Sequence, residues 1–113
     1  MATRGQVIIQ DGDNAEVVLY QHYDGDTLLD AVTRAIKREE RWTDGSYLAR
    51  IIFCEMMLTY KPEEIFGTTG FGIQTNRQGD TDFDIIVNID DQIVNQITYS
   101  NNKSWSFEEL SKL

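Results

Sequence analysis

The sequence predicts an α+β fold filling one domain, residues 1–113. Its antiparallel β-sheet, an N-terminal hairpin plus three later strands, is covered by two central helices and followed by a short C-terminal helix. Three observations carry this reading. Alternating apolar runs stand near both ends of the chain, helical spacing occupies the middle, and a strong helix-capping signal closes it. At 113 residues with 41% hydrophobic content, the chain is large enough for a single core.

Gln6 to Gln10 is a short β-rich run, and Glu16 to Tyr23 resumes it. Between them Asp11-Gly12-Asp13-Asn14 is turn chemistry, because Asp and Asn bond local backbone while Gly accepts positive φ. Thr27 is then expected to cap a helix, with Asp30 as the capping-box acid. Leu28, Val32, Ala35 and Ile36 recur on one helical face. Arg34, Lys37, Arg38 and Arg41 gather near its C-terminal end, where positive charge offsets the helix dipole or forms an anion-contacting stripe.

Thr43-Asp44-Gly45-Ser46 breaks and restarts the chain. From Tyr47 to Tyr60 residues such as Leu48, Ile51, Ile52, Phe53, Met56, Met57 and Leu58 are apolar on nearly every side, which predicts a central or interfacial helix. Glu55 shares a face with Leu48, Ile51, Ile52 and Leu58, so it is the expected buried carboxylate. Cys54 in the same run is expected to be a buried, inert thiol.

Pro62-Glu63-Glu64 has the signature of a helical turn, and Gly67 to Gly72 that of a loop. Three strands are expected at Phe71–Thr75, Asp82–Ile89 and Gln92–Ser100, joined as hairpins by Asn76–Asp80 and by the Asp90-Asp91 corner. In the middle strand Phe83, Ile85, Val87 and Ile89 alternate inward. Ser106 with Glu109 forms a capping box, with Trp105 and Leu110 as its hydrophobic staple. Phe107, Leu110 and Leu113 should dock the last helix.

Nineteen acids against ten bases give a net charge of −9. Such a surface repels nucleic acid and anionic membrane, and it suits a protein partner with a basic surface. The longest apolar runs fall short of the ~18 residues of a membrane span. Met1 to Gly5 lacks the apolar core of a signal peptide, and a lone cysteine suits a reducing interior, so a cytoplasmic setting is expected.

The densest chemistry lies at Leu19-Tyr20-Gln21-His22-Tyr23-Asp24-Gly25-Asp26, which holds the only histidine. On an extended strand Tyr20, His22 and Asp24 point to one side, about 7 Å apart. A turn at Gly25 that brings Asp24 to His22, with Glu55 nearby, would orient a general base. No nucleophile accompanies them at a recognisable spacing. Asp80-Thr-Asp82-Phe-Asp84 copies the start of a calcium loop but has Ile85 at its sixth position and Asp91 at its twelfth, so no metal is expected. Thr68-Thr-Gly70-Phe-Gly72 lacks the lysine and following helix of a phosphate loop, and no cofactor is expected.

Thr3-Arg4, the hairpin and Tyr20-x-His22-x-Asp24-Gly25 together resemble a group of small uncharacterised phage and prophage proteins. Members commonly continue Asp-Gly-Tyr-Pro, whereas this chain continues Asp24-Gly25-Asp26-Thr27. The resemblance implies a mobile-element origin, hence the cytoplasm of a bacterial host, and no particular activity. The leading expectation is therefore protein binding through Tyr20, His22, Tyr23, Asp24, Asp82, Asp84, Asp90 and Asp91. Acidic phage proteins that occupy nucleic-acid-binding surfaces of host defence machinery supply the analogy. A small enzyme or ligand-binding domain centred on Tyr20, His22, Asp24 and Glu55 is the alternative, and a homodimer through the second helix is a third.

Overall fold

A computed structural model describes residues 3–58, 60 and 70–113. Strands β1 (Gly5–Gln10) and β2 (Val17–Gln21) precede a 3-10 turn (Gly25–Thr27) and helices α1 (Leu28–Lys37) and α2 (Gly45–Met57). Strands β3 (Phe71–Gln74), β4 (Phe83–Asn88), β5 (Ile93–Thr98) and β6 (Asn102–Ser106) follow, then helix α3 (Phe107–Ser111). The expected helical turn at Pro62-Glu63-Glu64 and residues 67–69 of the expected Gly67–Gly72 loop lie outside the described residues, while Phe71 and Gly72 belong to β3.

The α+β class holds, but the sheet is mixed and has six strands in the order β3-β2-β1-β4-β5-β6. β1 pairs antiparallel with β2 and parallel with β4, with Ile8 opposite Val18 on one side and Ile86 on the other. The expected hairpin at Asn76–Asp80 is therefore a crossover, because β4 joins the sheet beyond β1 rather than beside β3. The Asp90-Asp91 corner is a hairpin, joining β4 to β5. The sixth strand is polar and lacks an apolar alternation. It forms because Thr98 donates its amide to the Asn101 carbonyl at 2.8 Å, folding the chain back onto β5.

Alternation sends Val7, Ile9, Leu19, Ile85, Val87 and Val94 into one core with the helices. α1 contributes Leu28, Ala31, Val32, Ala35 and Ile36, and α2 contributes Leu48, Ala49, Ile51, Ile52 and Met56. Ile8 and Val18 are equally buried but point to the opposite face of the sheet.

The helices correct several expectations. Thr27 does not cap α1 through its side chain. Its hydroxyl donates backwards to the Asp24 carbonyl at 2.7 Å, so Asp30 has no capping box to complete. α2 is not apolar all round, since Tyr47, Arg50 and Cys54 line an exposed side and Leu58, just past its end, is also exposed. Cys54 is thus an exposed thiol, contrary to the buried one expected. Asp44 starts α2 by accepting from the Tyr47 amide at 3.3 Å. The Ser106–Glu109 capping box is present, and Phe107 and Leu110 dock α3, whereas Leu113 is exposed.

Candidate functional site

The end of β2 is held by its own side chains. The Tyr20 hydroxyl and His22 Nδ1 are 2.8 Å apart, and Tyr23 stands edge-on to the imidazole at 4.7 Å between ring centroids. His22 sends its main-chain amide to the Gly70 carbonyl at 2.8 Å. Asp24 sits in the left-handed region, φ 58°, where its short polar side chain is tolerated. Its carboxylate accepts from the Tyr60 hydroxyl at 3.0 Å rather than from His22.

Gly25 follows for a steric reason. A Cβ there would meet the Arg4 carbonyl carbon at 2.7 Å and the Gly5 nitrogen at 2.8 Å. Its amide donates to the Thr3 carbonyl at 2.9 Å, stitching the turn to the start of β1. Beside it, Gln21 is buried and donates to the Tyr23 and Asp24 carbonyls at 2.6 and 3.2 Å. The Tyr-x-His-x-Asp-Gly stretch is thus the means by which β2 ends and α1 begins.

Glu55 is the buried carboxylate the sequence indicates, 4% exposed. It does not join the histidine. Its oxygens are taken by Arg34 Nε at 2.9 Å and by Arg38 Nη2. The basic cluster is likewise divided, with Lys37 donating to the Leu113 carbonyl and the Arg41 guanidinium 4.4 Å over the Tyr47 ring. No hydrogen bond of Tyr20, His22 or Asp24 among the described residues reaches Glu55, so the four do not assemble into an acid/base constellation.

The acids of β4 fall at its two ends. At the start, Asp80 pairs with Arg4, Asp82 accepts the Arg4 amide at 3.0 Å, and Asp84 accepts from Gln6 Nε2 at 2.9 Å and from Thr81 Oγ1. All three carboxylates have protein donors. At the far end Asp90 and Asp91 are exposed. Parallel pairing sets the β4–β5 corner beside the β1–β2 turn, and the Ile89 amide donates to the Gln10 carbonyl at 2.9 Å.

That end gathers acids that the sequence keeps apart. Asp11 accepts from the Gly45 amide at 2.9 Å, which brings Asp44 alongside, while Asp13 is exposed in the turn. Among the described residues none of Asp11, Asp13, Asp44, Asp90 and Asp91 forms an ion pair with a lysine or arginine. Hydrogen bonds from the Ser46 side chain and the Tyr47 amide hold Asp44 below the usual carboxylate range, and the nearby Arg41 charge lowers it further. A recess lined by Gln10, Gly12, Asn14, Glu16, Asn88 and Asp90 opens at this end. Sequence reasoning names Asp90 and Asp91 as binding residues but misses Asp11, Asp13 and Asp44, because no periodicity states which strands are neighbours.

Comparison with known proteins finds no matching family model, no matching curated protein and no matching solved structure.

Proposed function

We propose that this chain is a small acidic binding protein of the phage or prophage type, acting in the cytoplasm of a bacterial host on a protein with a basic surface. The observation that carries the reading is the parallel β1–β4 pairing, which collects Asp11, Asp13, Asp44, Asp90 and Asp91 at one end of the sheet. Among the described residues five bases (Arg4, Arg34, Arg38, Arg77 and Lys112) pair with Asp80, Glu55, Glu16 and Glu108, and the net charge of −9 leaves the outward field acidic. A field of one sign raises the encounter rate with an opposite patch and repels nucleic acid competing for it. The partner class that fits is a nucleic-acid-binding surface of a host defence machine. The arrangement at His22 favours binding over catalysis, since Tyr20 meets its Nδ1 and Asp24 turns to Tyr60.

The test is retention of host proteins on the immobilised chain at low and high salt, beside an Asp13→Asn/Asp90→Asn/Asp91→Asn variant. A partner held at low salt, released at high salt, lost by the variant and displaced by nucleic acid supports the reading. Equal retention by both proteins, or no salt-sensitive partner, rejects it.

A further inference from the structure

The crossover from β3 to β4, residues 75–82, passes over β2 and β1 on the face opposite the helices. Its sequence, Thr-Asn-Arg-Gln-Gly-Asp-Thr-Asp, contains no apolar residue. Nothing in it is suited to a hydrophobic anchor, and what it covers is apolar. Ile8 and Val18, opposite one another on β1 and β2, are 1% and 0% exposed yet stand outside the helix-side core.

Polar clamps hold the segment down. The buried Gln6 carboxamide accepts the Gln78 amide at 2.8 Å and donates to the Gln78 carbonyl at 3.0 Å, as a neighbouring strand would. Arg77 reaches past it to Glu16, which accepts from Nε at 2.9 Å and from Nη2 at 2.8 Å. Gln6 lies one step before Ile8 on its face, and Glu16 one step before Val18. The Arg77 stem therefore spans the Ile8–Val18 pair. Arg4 with Asp80 and Asp82 closes the far end.

We infer that residues 75–82 form a latched strap, opening as a unit while the sheet stays folded and uncovering an apolar strip of Ile8 and Val18 beside Tyr20 and Ile86. Water replaces every bond the strap breaks, since each clamp is polar, whereas the helix-side core has no such release. The two faces of the sheet thereby acquire different opening free energies. The strap meets the acidic end at Glu16, which also lines the recess there, but it uses none of the five aspartates proposed above.

Thiol labelling in a Cys54→Ser background reads the difference directly. Val18→Cys places the probe under the strap, and Val7→Cys places it in the helix-side core. The expected result is that Val18→Cys reacts faster than Val7→Cys by roughly tenfold or more, as local opening outruns global unfolding. Arg77→Met, which keeps the stem and loses the ion pair, should speed the first by roughly threefold and leave the second unchanged. Amide exchange at Gln78 in the unaltered chain gives the same comparison without a buried substitution, and should be insensitive to low urea. Equal rates at the two positions, no effect of Arg77→Met, or Gln78 exchange with the urea dependence of Ile9 and Val87 would overturn the inference.

Discussion

Arg34 and Glu55 tie the two helices together: Nε of the arginine donates to Oε1 of the carboxylate at 2.9 Å, and Nη2 reaches the Glu55 main-chain carbonyl at 3.1 Å. Arg38 takes the other carboxylate oxygen. The arginines remain part-exposed while Glu55 does not, so the cost of breaking the cluster depends on which side is removed. Arg34→Met with Arg38→Met leaves a buried carboxylate without a cation and should cost about 3 kcal/mol. Adding Glu55→Gln should recover most of that loss, as judged by urea melts of the three proteins.

Cys54 should react with a thiol reagent in the folded protein nearly as fast as in denaturant. Its side chain is exposed, with Arg50 Nη1 3.9 Å from the sulfur. Cys54→Ser should change stability by less than about 0.5 kcal/mol, as for surface sites without special features. Labelling only after unfolding would contradict the placement of α2.

Glu16 supplies a dependence on acid. The Arg77 hydrogen bond, then that of Gln10, hold its pKa down to about 2 from the ordinary 4.5. A depressed carboxylate adds stability above its unfolded pKa, and that stability is lost as pH falls through the folded value. The full shift corresponds to about 3 kcal/mol. Side-chain exposures of 33% for Glu16 and 44% for Arg77 leave the pair screened, which reduces it to about 1 kcal/mol. The difference in unfolding free energy between wild type and Arg77→Met should therefore shrink between about pH 5 and pH 2. A difference constant across that range would show that the pair does not form.

Gly25→Ala should be among the costliest single changes in the N-terminal third. The added methyl has backbone atoms of Arg4 and Gly5 within 3 Å, and backbone cannot swing aside as a flexible side chain can. A loss of about 2 kcal/mol is expected from such overpacking. Asp26→Ala, one residue on and exposed, should be nearly silent in the same thermal melts.

His22→Ala should cost about 1 kcal/mol through loss of the Tyr20 contact, and His22→Gln should restore part of it. Because the pair is direct, a double-mutant cycle with Tyr20→Phe should show coupling. Full additivity would mean that the two side chains do not interact, and would free His22 for another role.

The local features of this fold are readable in the residues. The Asp11–Asn14 turn, the α1 apolar face, the inward row of Ile85, Val87 and Ile89, and the Ser106–Glu109 box each follow from neighbours in sequence. Strand partnership is not written that way, since Val7 reads the same beside an antiparallel or a parallel neighbour. That is why the mixed sheet, the crossover at residues 75–82 and the acidic end stay hidden. Cys54 misleads for a related reason: an apolar run fixes composition, while the angle around the helix axis decides exposure. At the candidate site, Tyr20 and His22 lie on one side as alternation requires, but Asp24 leaves the strand at φ 58° and finds Tyr60 instead.

The position of β1 in the middle of the sheet governs the order in which the chain can finish folding. Its two partners are a near neighbour and a strand 78 residues further on, with Gly5 opposite Phe83. Loop closure over that distance is slow compared with forming the first hairpin. A nascent chain ending before β4 can place β3, β2 and β1 side by side, but one whole edge of β1 then lacks its hydrogen-bonding partner. Ile8, Ile9 and their neighbours would present that edge to any other extended chain. Synthesis of this protein thus passes through a sticky interval that ends when β4 arrives, and fragments ending near residue 80 should aggregate where the entire chain does not.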